Sequence, residues 1–166
     1  SKETPGKSYA AKHGQKVHLD PNSLVAEAYR TIRTAVFFGV AQDQAKTILI
    51  TSPAPGDGKS TVASNMAITM AQAGQKTLII DADLRKPTQH SIFEIESRDE
   101  GLSNLLAGAI DMEQAILPGP TSNLDILTCG VEIPNPVEVL NSNAFAKLLR
   151  ELTERYDRVI IDSPPV

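Results

Sequence analysis

The chain has 166 residues, 41% of them hydrophobic, with one cysteine, no tryptophan and a formal net charge of −4. That balance predicts one domain of moderate size with an ordinary core, and its mildly acidic character argues against nonspecific nucleic-acid binding as a purpose. The single Cys129 excludes an intrachain disulfide and fits a reducing compartment, and neither a bilayer-spanning apolar run nor a signal peptide is visible.

Residues 1–20 are polar, carry Lys2, Lys7, Lys12 and Lys16, and show no hydrophobic period. They read as a flexible basic arm or linker ahead of a domain running over 21–166. Such a segment could touch an anionic membrane surface, although a solvated tail is the simpler reading. A start at Ser1 rather than Met is read as a piece of a longer chain. The first helix is expected just after Pro21, capped by Asn22 or Ser23, with Leu24, Val25, Ala28, Ile32, Ala35 and Val36 facing a core. Glu27, Arg30 and Arg33 follow in steps of three along another face. Spacing alone favours an intrahelical Glu–Arg pair, worth roughly a few tenths of a kcal/mol, over an edge that docks on a neighbouring subunit.

Residues 47–50, Thr-Ile-Leu-Ile, predict a strand buried on both faces of a parallel sheet. A Gly/Pro turn follows, and Lys59-Ser60-Thr61 opens a helix through Met66 and Met70. Strand, glycine loop and helix start together make a phosphate cradle from Pro55, Gly56, Asp57, Gly58, Lys59, Ser60 and Thr61. Loop N–H groups and the helix dipole attract anions, Lys59 reaches the outer phosphates, and Ser60 offers a hydroxyl to Mg²⁺. The P-loop pattern G-x-x-x-x-G-K-[ST] is met except at its first glycine, where Pro53 stands.

Gly74 is expected to close that helix, and residues 77–80 form a second buried strand that runs into Asp81-Ala82-Asp83-Leu84-Arg85. In a doubly wound sheet the strands' C-terminal ends line the ligand crevice, so Asp81 and Asp83 should arrive beside the P-loop. Residues 101–107 and 112–117 read as short helices, 124–128 as a strand, 137–140 as a helical turn and 144–156 as a helix striped by Phe145, Leu148, Leu149 and Leu152. Cys129 ends the strand at 124–128 and reads as a buried structural thiol. Residues 159–161 run apolar into Asp162, the Walker B pattern, which places a carboxylate for Mg²⁺. The expected fold is therefore α/β, a P-loop NTPase-like, doubly wound and mostly parallel sheet flanked by helices. It is read as truncated at the C-terminus, because such domains continue with further strands.

Four segments together resemble the bacterial tyrosine kinases, which use a P-loop ATPase fold and control capsule and exopolysaccharide assembly. They are Glu27-x-x-Arg30-x-x-Arg33, the loop at 52–61, Asp81-x-Asp83-x-Arg85 (the Walker A′ segment) and Asp162. The resemblance implies an ATP- and Mg²⁺-dependent protein-tyrosine autokinase. It implies that Glu27, Arg30 and Arg33 assemble subunits into a ring, which raises the intersubunit reading of that helix. It also implies that Lys59 is the phosphate lysine and Ser60 the metal hydroxyl, with Asp81, Asp83 and Asp162 as metal and catalytic carboxylates and Arg85 completing the catalytic segment. Asp81 is the first choice for the base that takes the tyrosyl proton. The implied setting is cytoplasmic, at the inner face of the membrane, with a separate membrane activator or a fused transmembrane chain-length regulator as partner and no nucleic acid.

Partitioning and cell-division ATPases carry an extra lysine where Ala54 stands here and lack the paired-arginine helix. The kinase family's C-terminal tyrosine cluster has no counterpart, since Tyr9, Tyr29 and Tyr156 are scattered. A partitioning-type ATPase switch and a non-catalytic nucleotide-binding assembly module are the alternative readings.

Overall fold

The computed structural model describes residues 6–40, 45–96 and 99–166. In chain order the elements are α1 (Tyr9–Gly14), α2 (Lys16–Leu19), α3 (Leu24–Gly39), β1 (Thr47–Ile50), α4 (Lys59–Gln72), β2 (Thr77–Asp81) and α5 (Gln89–Ile92). They continue with α6 (Leu102–Leu106), α7 (Met112–Ala115), β3 (Ile116–Pro118), β4 (Leu124–Leu127), α8 (Pro136–Leu140), α9 (Asn143–Arg155) and β5 (Arg158–Asp162). The strands form one sheet in the order β1-β5-β2-β4-β3, parallel except for the antiparallel β3. None of the helices among the described residues is long and apolar enough to cross a membrane.

β2 and β5 hold the middle of the sheet and are buried at every position. Their apolar runs make sense there, because successive side chains point to opposite faces and both faces are covered. Leu78, Ile80, Val159 and Ile161 enter a core with Leu148 and Leu152 of α9 and Leu102 of α6. Ile79 and Ile160 enter the opposite core with Ala63, Ala67, Ile68 and Ala71 of α4. Cys129 is buried in the first of these cores, as the strand-end pattern indicates.

Four expectations are corrected. β1 has a strand neighbour on one side, β5, and its Leu49 is 59% exposed rather than buried. The central positions belong to β5 and β2, and the α9 core that covers Ile161 does not reach its register partner Leu49. Residues 116–118, expected to continue a helix, leave α7 as β3 and pair with β4.

The basic arm is the third correction. From Tyr9 onward it forms α1 and α2, which pack on α4 with Ala11, Gly14 and Val17 buried. Polar side chains of α4 hold the arm's backbone: Ser64 Oγ donates to the Gly14 carbonyl at 2.7 Å and Asn65 Nδ2 to the His13 carbonyl at 2.8 Å. Asn65 Oδ1 in turn accepts the Val17 N–H at 3.0 Å. A side chain on Gly14 would place Cβ 2.4 Å from Ile92, so this close approach requires glycine. Lys2 lies outside the described residues.

The fourth concerns α3, which begins after the expected cap: Ser23 Oγ accepts the Ala26 N–H at 3.2 Å. Its expected core face points the other way. Leu24 is 89% exposed, Val25, Ala28, Ile32 and Ala35 are exposed, and Val36 is half-buried. The face toward α4 is Ala26, Tyr29 and Arg33 instead. The small Ala26 lets the helices approach, and Arg33 donates to the Thr69 carbonyl of α4 at 2.8 Å.

Candidate active site

The phosphate cradle is built by the turn between β1 and α4. Gly56 and Gly58 adopt φ of +84° and +80°, in the left-handed region that glycine enters without steric cost. Neither position has an atom within 4 Å of where a Cβ would stand, so the loop backbone is open on that side. Gly58 is the N-cap of α4 and supplies no side-chain hydrogen bond. The first-turn N–H groups are thus left for an external acceptor at the positive end of a fourteen-residue helix. Asp57 folds back within the loop, accepting the Ala54 N–H at 3.2 Å.

Parallel pairing sets the carboxylates. Asp81 ends β2 and Asp162 ends β5, and the two are register partners. Both are fully buried, and Asp83 nearly so. The Lys59 ammonium lies between two of these groups, 2.9 Å from Asp162 Oδ1 and 3.1 Å from Asp83 Oδ2, with Ser60 Oγ at 3.5 Å. Burial alone would lower the Lys59 pKa, but the Asp162 and Asp83 carboxylates outweigh it and hold the lysine charged.

Asp81 is occupied differently. Its Oδ1 accepts the Asp83 N–H at 3.2 Å, and its Oδ2 accepts the Thr88 and Gln89 N–H groups at 2.9 Å each. Burial, reinforced by the negative charge of Asp162, pushes its pKa up to about 7 against the pull of those three N–H groups.

A cavity of about 960 Å³ opens over the cradle. It is lined by Pro53, residues 55–62, Asp83, Arg85, Lys86 and Thr88, with α1 and residues 164–166 at its margins. Lys59, Ser60, Asp83 and Arg85 therefore meet in one space, as the motifs predict, with Asp162 and Asp81 behind them. Of the carboxylates after β2 and β5, Asp83 lines the cavity, whereas Asp81 and Asp162 do not.

Among the described residues no cluster of three or more His, Cys, Asp or Glu makes a metal cage. A phosphate-bound Mg²⁺ needs none, since it takes one or two carboxylates and completes its shell with water and phosphate oxygens. The Ser60 hydroxyl with the Asp162 carboxylate fits that requirement.

One residue of the site carries no sequence signal. Gln89 is fully buried, and its Nε2 donates to Asp162 Oδ2 at 2.8 Å and to the Ser60 carbonyl at 3.1 Å. It ties the Walker B carboxylate to the first turn of α4. Its Oε1 is buried without a hydrogen-bond partner among the described residues.

The charged stripe on α3 stands apart from this cluster. Arg30 pairs with Glu27 on its own helix and also donates to the Pro21 carbonyl, while Arg33 turns inward to α4. The intrahelical pair expected from spacing is present.

Residues 45–166 match the family model of the AAA domain. The putative tyrosine-protein kinase CapB of Staphylococcus aureus is 44% identical over 150 residues, 90% of this chain and 65% of that protein. The crystal structure of the chimerical protein CapA2B2 is similar with a TM-score of 0.88 at 44% identity, covering 96% of this chain and 69% of that one. The chain belongs to the bacterial tyrosine kinase family.

A more distant likeness is to the septum site-determining protein MinD of Pyrococcus horikoshii OT3, solved with Mg-ADP. It reaches 27% identity and a TM-score of 0.64 over 74% of this chain and 50% of that one. The bacterial tyrosine kinases and the division ATPases thus share a doubly wound P-loop sheet, and sequence likeness sets this chain with the kinases. Nucleotide binding is what membership of this P-loop family implies. The chain spans 65% of the length of the CapB relative.

Proposed function

We propose that this chain is the catalytic core of an ATP-dependent protein-tyrosine autokinase acting in the polymerisation and export of capsule or exopolysaccharide. The observation that carries the reading is Lys59, held between Asp83 and Asp162 at the open head of α4 within a cavity that Arg85 and Lys86 also line.

The loop and first-turn N–H groups of α4 receive the phosphates of ATP, and Lys59 turns from its carboxylates to the outer phosphate oxygens. Ser60 and Asp162 are the groups that would hold Mg²⁺, with Gln89 fixing the direction of Asp162. When bound, Mg²⁺ neutralises charge on the phosphate oxygens. Arg85 adds positive charge where the transferring group lies. A tyrosine hydroxyl with a pKa near ~10 must lose its proton as the new bond forms. Asp83 faces the cavity and suits that task better than Asp81, whose oxygens are taken up by backbone N–H groups. Asp81 fixes the turn that carries Asp83, Arg85 and Gln89.

Assembly belongs to α3. Glu27 and Arg30 are already paired at its surface, beside the exposed Leu24 and Ile32. A heterologous contact of this face with a different face of a second copy closes into a ring. Recruitment to the inner face of the membrane by a membrane activator, or by fused transmembrane segments, completes the proposal.

The test uses the full-length protein with ATP and Mg²⁺, read by phosphotyrosine content. Lys59→Met is expected to lower phosphoryl transfer by about 10³-fold or more, as loss of a transition-state charge does, with unchanged circular dichroism. Undiminished transfer in that variant would remove the P-loop from the mechanism. ATP hydrolysis by the wild type with no phosphotyrosine would instead support the partitioning-type switch.

A further inference from the structure

The chain has three tyrosines, and their surroundings differ sharply. Tyr156 is buried, and its hydroxyl donates to Asp125 Oδ2 at 2.6 Å. Tyr29 is half-buried in the core between α3 and α4, where burial raises its pKa. Tyr9 is 80% exposed, and it alone of the three lines the cavity over the P-loop. Its ring rests beside that of His13, with centroids 4.2 Å apart, and its hydroxyl makes no hydrogen bond among the described residues.

The backbone that carries Tyr9 is not free to wander. α1 is fixed to the P-loop helix by the bonds from Ser64 and Asn65, and to α5 by Gln15 Nε2, which donates to the Ile92 carbonyl at 2.7 Å. Ser8 caps the helix one residue before Tyr9. A short helix tied to α4 therefore holds an exposed phenol on the lining of the cavity that Lys59, Ser60 and Asp83 also line. Arg85 and Lys86 line that cavity too and make no ion pair among the described residues.

We propose that Tyr9 is a phosphoacceptor in cis, receiving the γ-phosphoryl group of the nucleoside triphosphate held by its own chain. The inference rests on the kinase reading above and names a substrate for it. Tyr9 Oη bonds to the γ-phosphorus as the bond from that phosphorus to the β,γ-bridging oxygen breaks. The nucleoside diphosphate departs, and the phenolic proton passes to the Asp83 carboxylate. The product carries close to two negative charges, which the unpaired Arg85 and Lys86 are placed to meet.

An acceptor on the same chain sees an effective concentration set by geometry rather than by the amount of protein, and this supplies the test. The full-length protein is incubated with ATP and Mg²⁺ over about a hundredfold range of protein concentration, and the tryptic peptide spanning residues 8–12 is quantified by mass spectrometry. Expected are phosphate on Tyr9, a first-order rate unchanged by dilution, and no phosphate on Tyr9 of isotope-labelled Lys59→Met chains co-assembled with the wild type. Tyr9→Phe should leave phosphorylation of other tyrosines in place. Phosphate on other tyrosines with none on Tyr9 overturns this inference and leaves the kinase reading standing, and so does a Tyr9 rate that falls in proportion to dilution. ATP consumption with no phosphotyrosine anywhere overturns both.

Discussion

α3 and α4 lie side by side, and they use their surfaces in opposite ways. α4 is buried without a break from Ala63 to Ala71, although Ser64, Asn65 and Thr69 are polar. α3 carries the larger apolar residues yet turns Leu24 and Phe38, each 89% exposed, away from the protein. Burial here follows place in the layers rather than hydrophobicity. α4 lies between the sheet and the N-terminal helices, so all its sides find partners. α3 packs its Ala26, Tyr29 and Arg33 face against its neighbours α4 and α2 and leaves Leu24, Ile32 and Phe38 exposed. The buried polar groups of α4 anchor the backbone of α1 and α2, whereas the larger apolar groups on the outer face of α3 stay at the surface. The contrast separates a helix that organises its own chain from one proposed above to meet another.

The largest effect should come from removing an anchor on α4. Asn65 makes three hydrogen bonds, to Val17, His13 and Thr61. Asn65→Ala leaves buried backbone groups unpaired and is expected to lower stability by about 3 kcal/mol or more, with hydrogen exchange rising first in α1 and α2. A loss below about 1 kcal/mol in urea unfolding would mean that α4 does not organise the N-terminal segment as described.

An intermediate effect tests the burial near the head of α4. The Asp81 carboxyl, raised to about 7 when folded, binds its proton more tightly in the native state than in the unfolded chain, where its pKa is ~3.9. The unfolded state thus holds fewer protons between those values, and the stabilising contribution, full at low pH, is lost as pH rises through about 7. In nucleotide-free protein with chelator, wild type should lose about 2.5 kcal/mol relative to Asp81→Asn between pH 5 and pH 8. Parallel stability curves for the two proteins would show that Asp81 is not buried as described.

The smallest effect on the monomer is expected on α3. Replacing Glu27, Arg30 and Arg33 together by alanine should cost about 1–2 kcal/mol of monomer stability, most of it from the Arg33 bond to α4. The same change should dissociate the oligomer of the full-length protein in sedimentation, because a charge pair buried at an interface leaves an uncompensated partner when cut. An oligomer that survives the triple change would return α3 to an ordinary surface helix.

Where periodicity and motif coincided, the sequence was easily read. The apolar runs of β2 and β5 each end in a carboxylate, and the glycine turn leads into Lys59, so the centre of the site could be placed before any coordinates. The helix at 144–156 was equally legible from its stripe and lies at Asn143–Arg155, capped by Ser142. What escaped depended on contacts between distant segments. α1 and α2 dock through alanine, glycine and backbone hydrogen bonds, which leave no hydrophobic period to detect. The stripe on α3 was correctly seen as amphipathic, but amphipathicity does not say which face turns inward, and Ala26 with Arg33 decided it. β3 is too short to announce itself beside α7. Gln89 is one polar residue at the start of a four-residue helix, and only the folded register of Asp81 and Asp162 reveals what it holds.

The restraint on Lys59 has a thermodynamic consequence. The Lys59 ammonium pairs with Asp162, the carboxylate proposed to hold a divalent cation, so lysine and cation would compete for the same oxygens. A phosphate chain that draws Lys59 away vacates those oxygens, and a cation that takes them releases Lys59 toward phosphate. Each ligand therefore removes part of the cost of binding the other, and the two affinities rise by one shared factor, as linkage demands. A lone phosphate or a lone cation must break the ion pairs unaided. On the proposed assignment, the Lys59 ion pairs would thereby favour the metal–polyphosphate complex over either component.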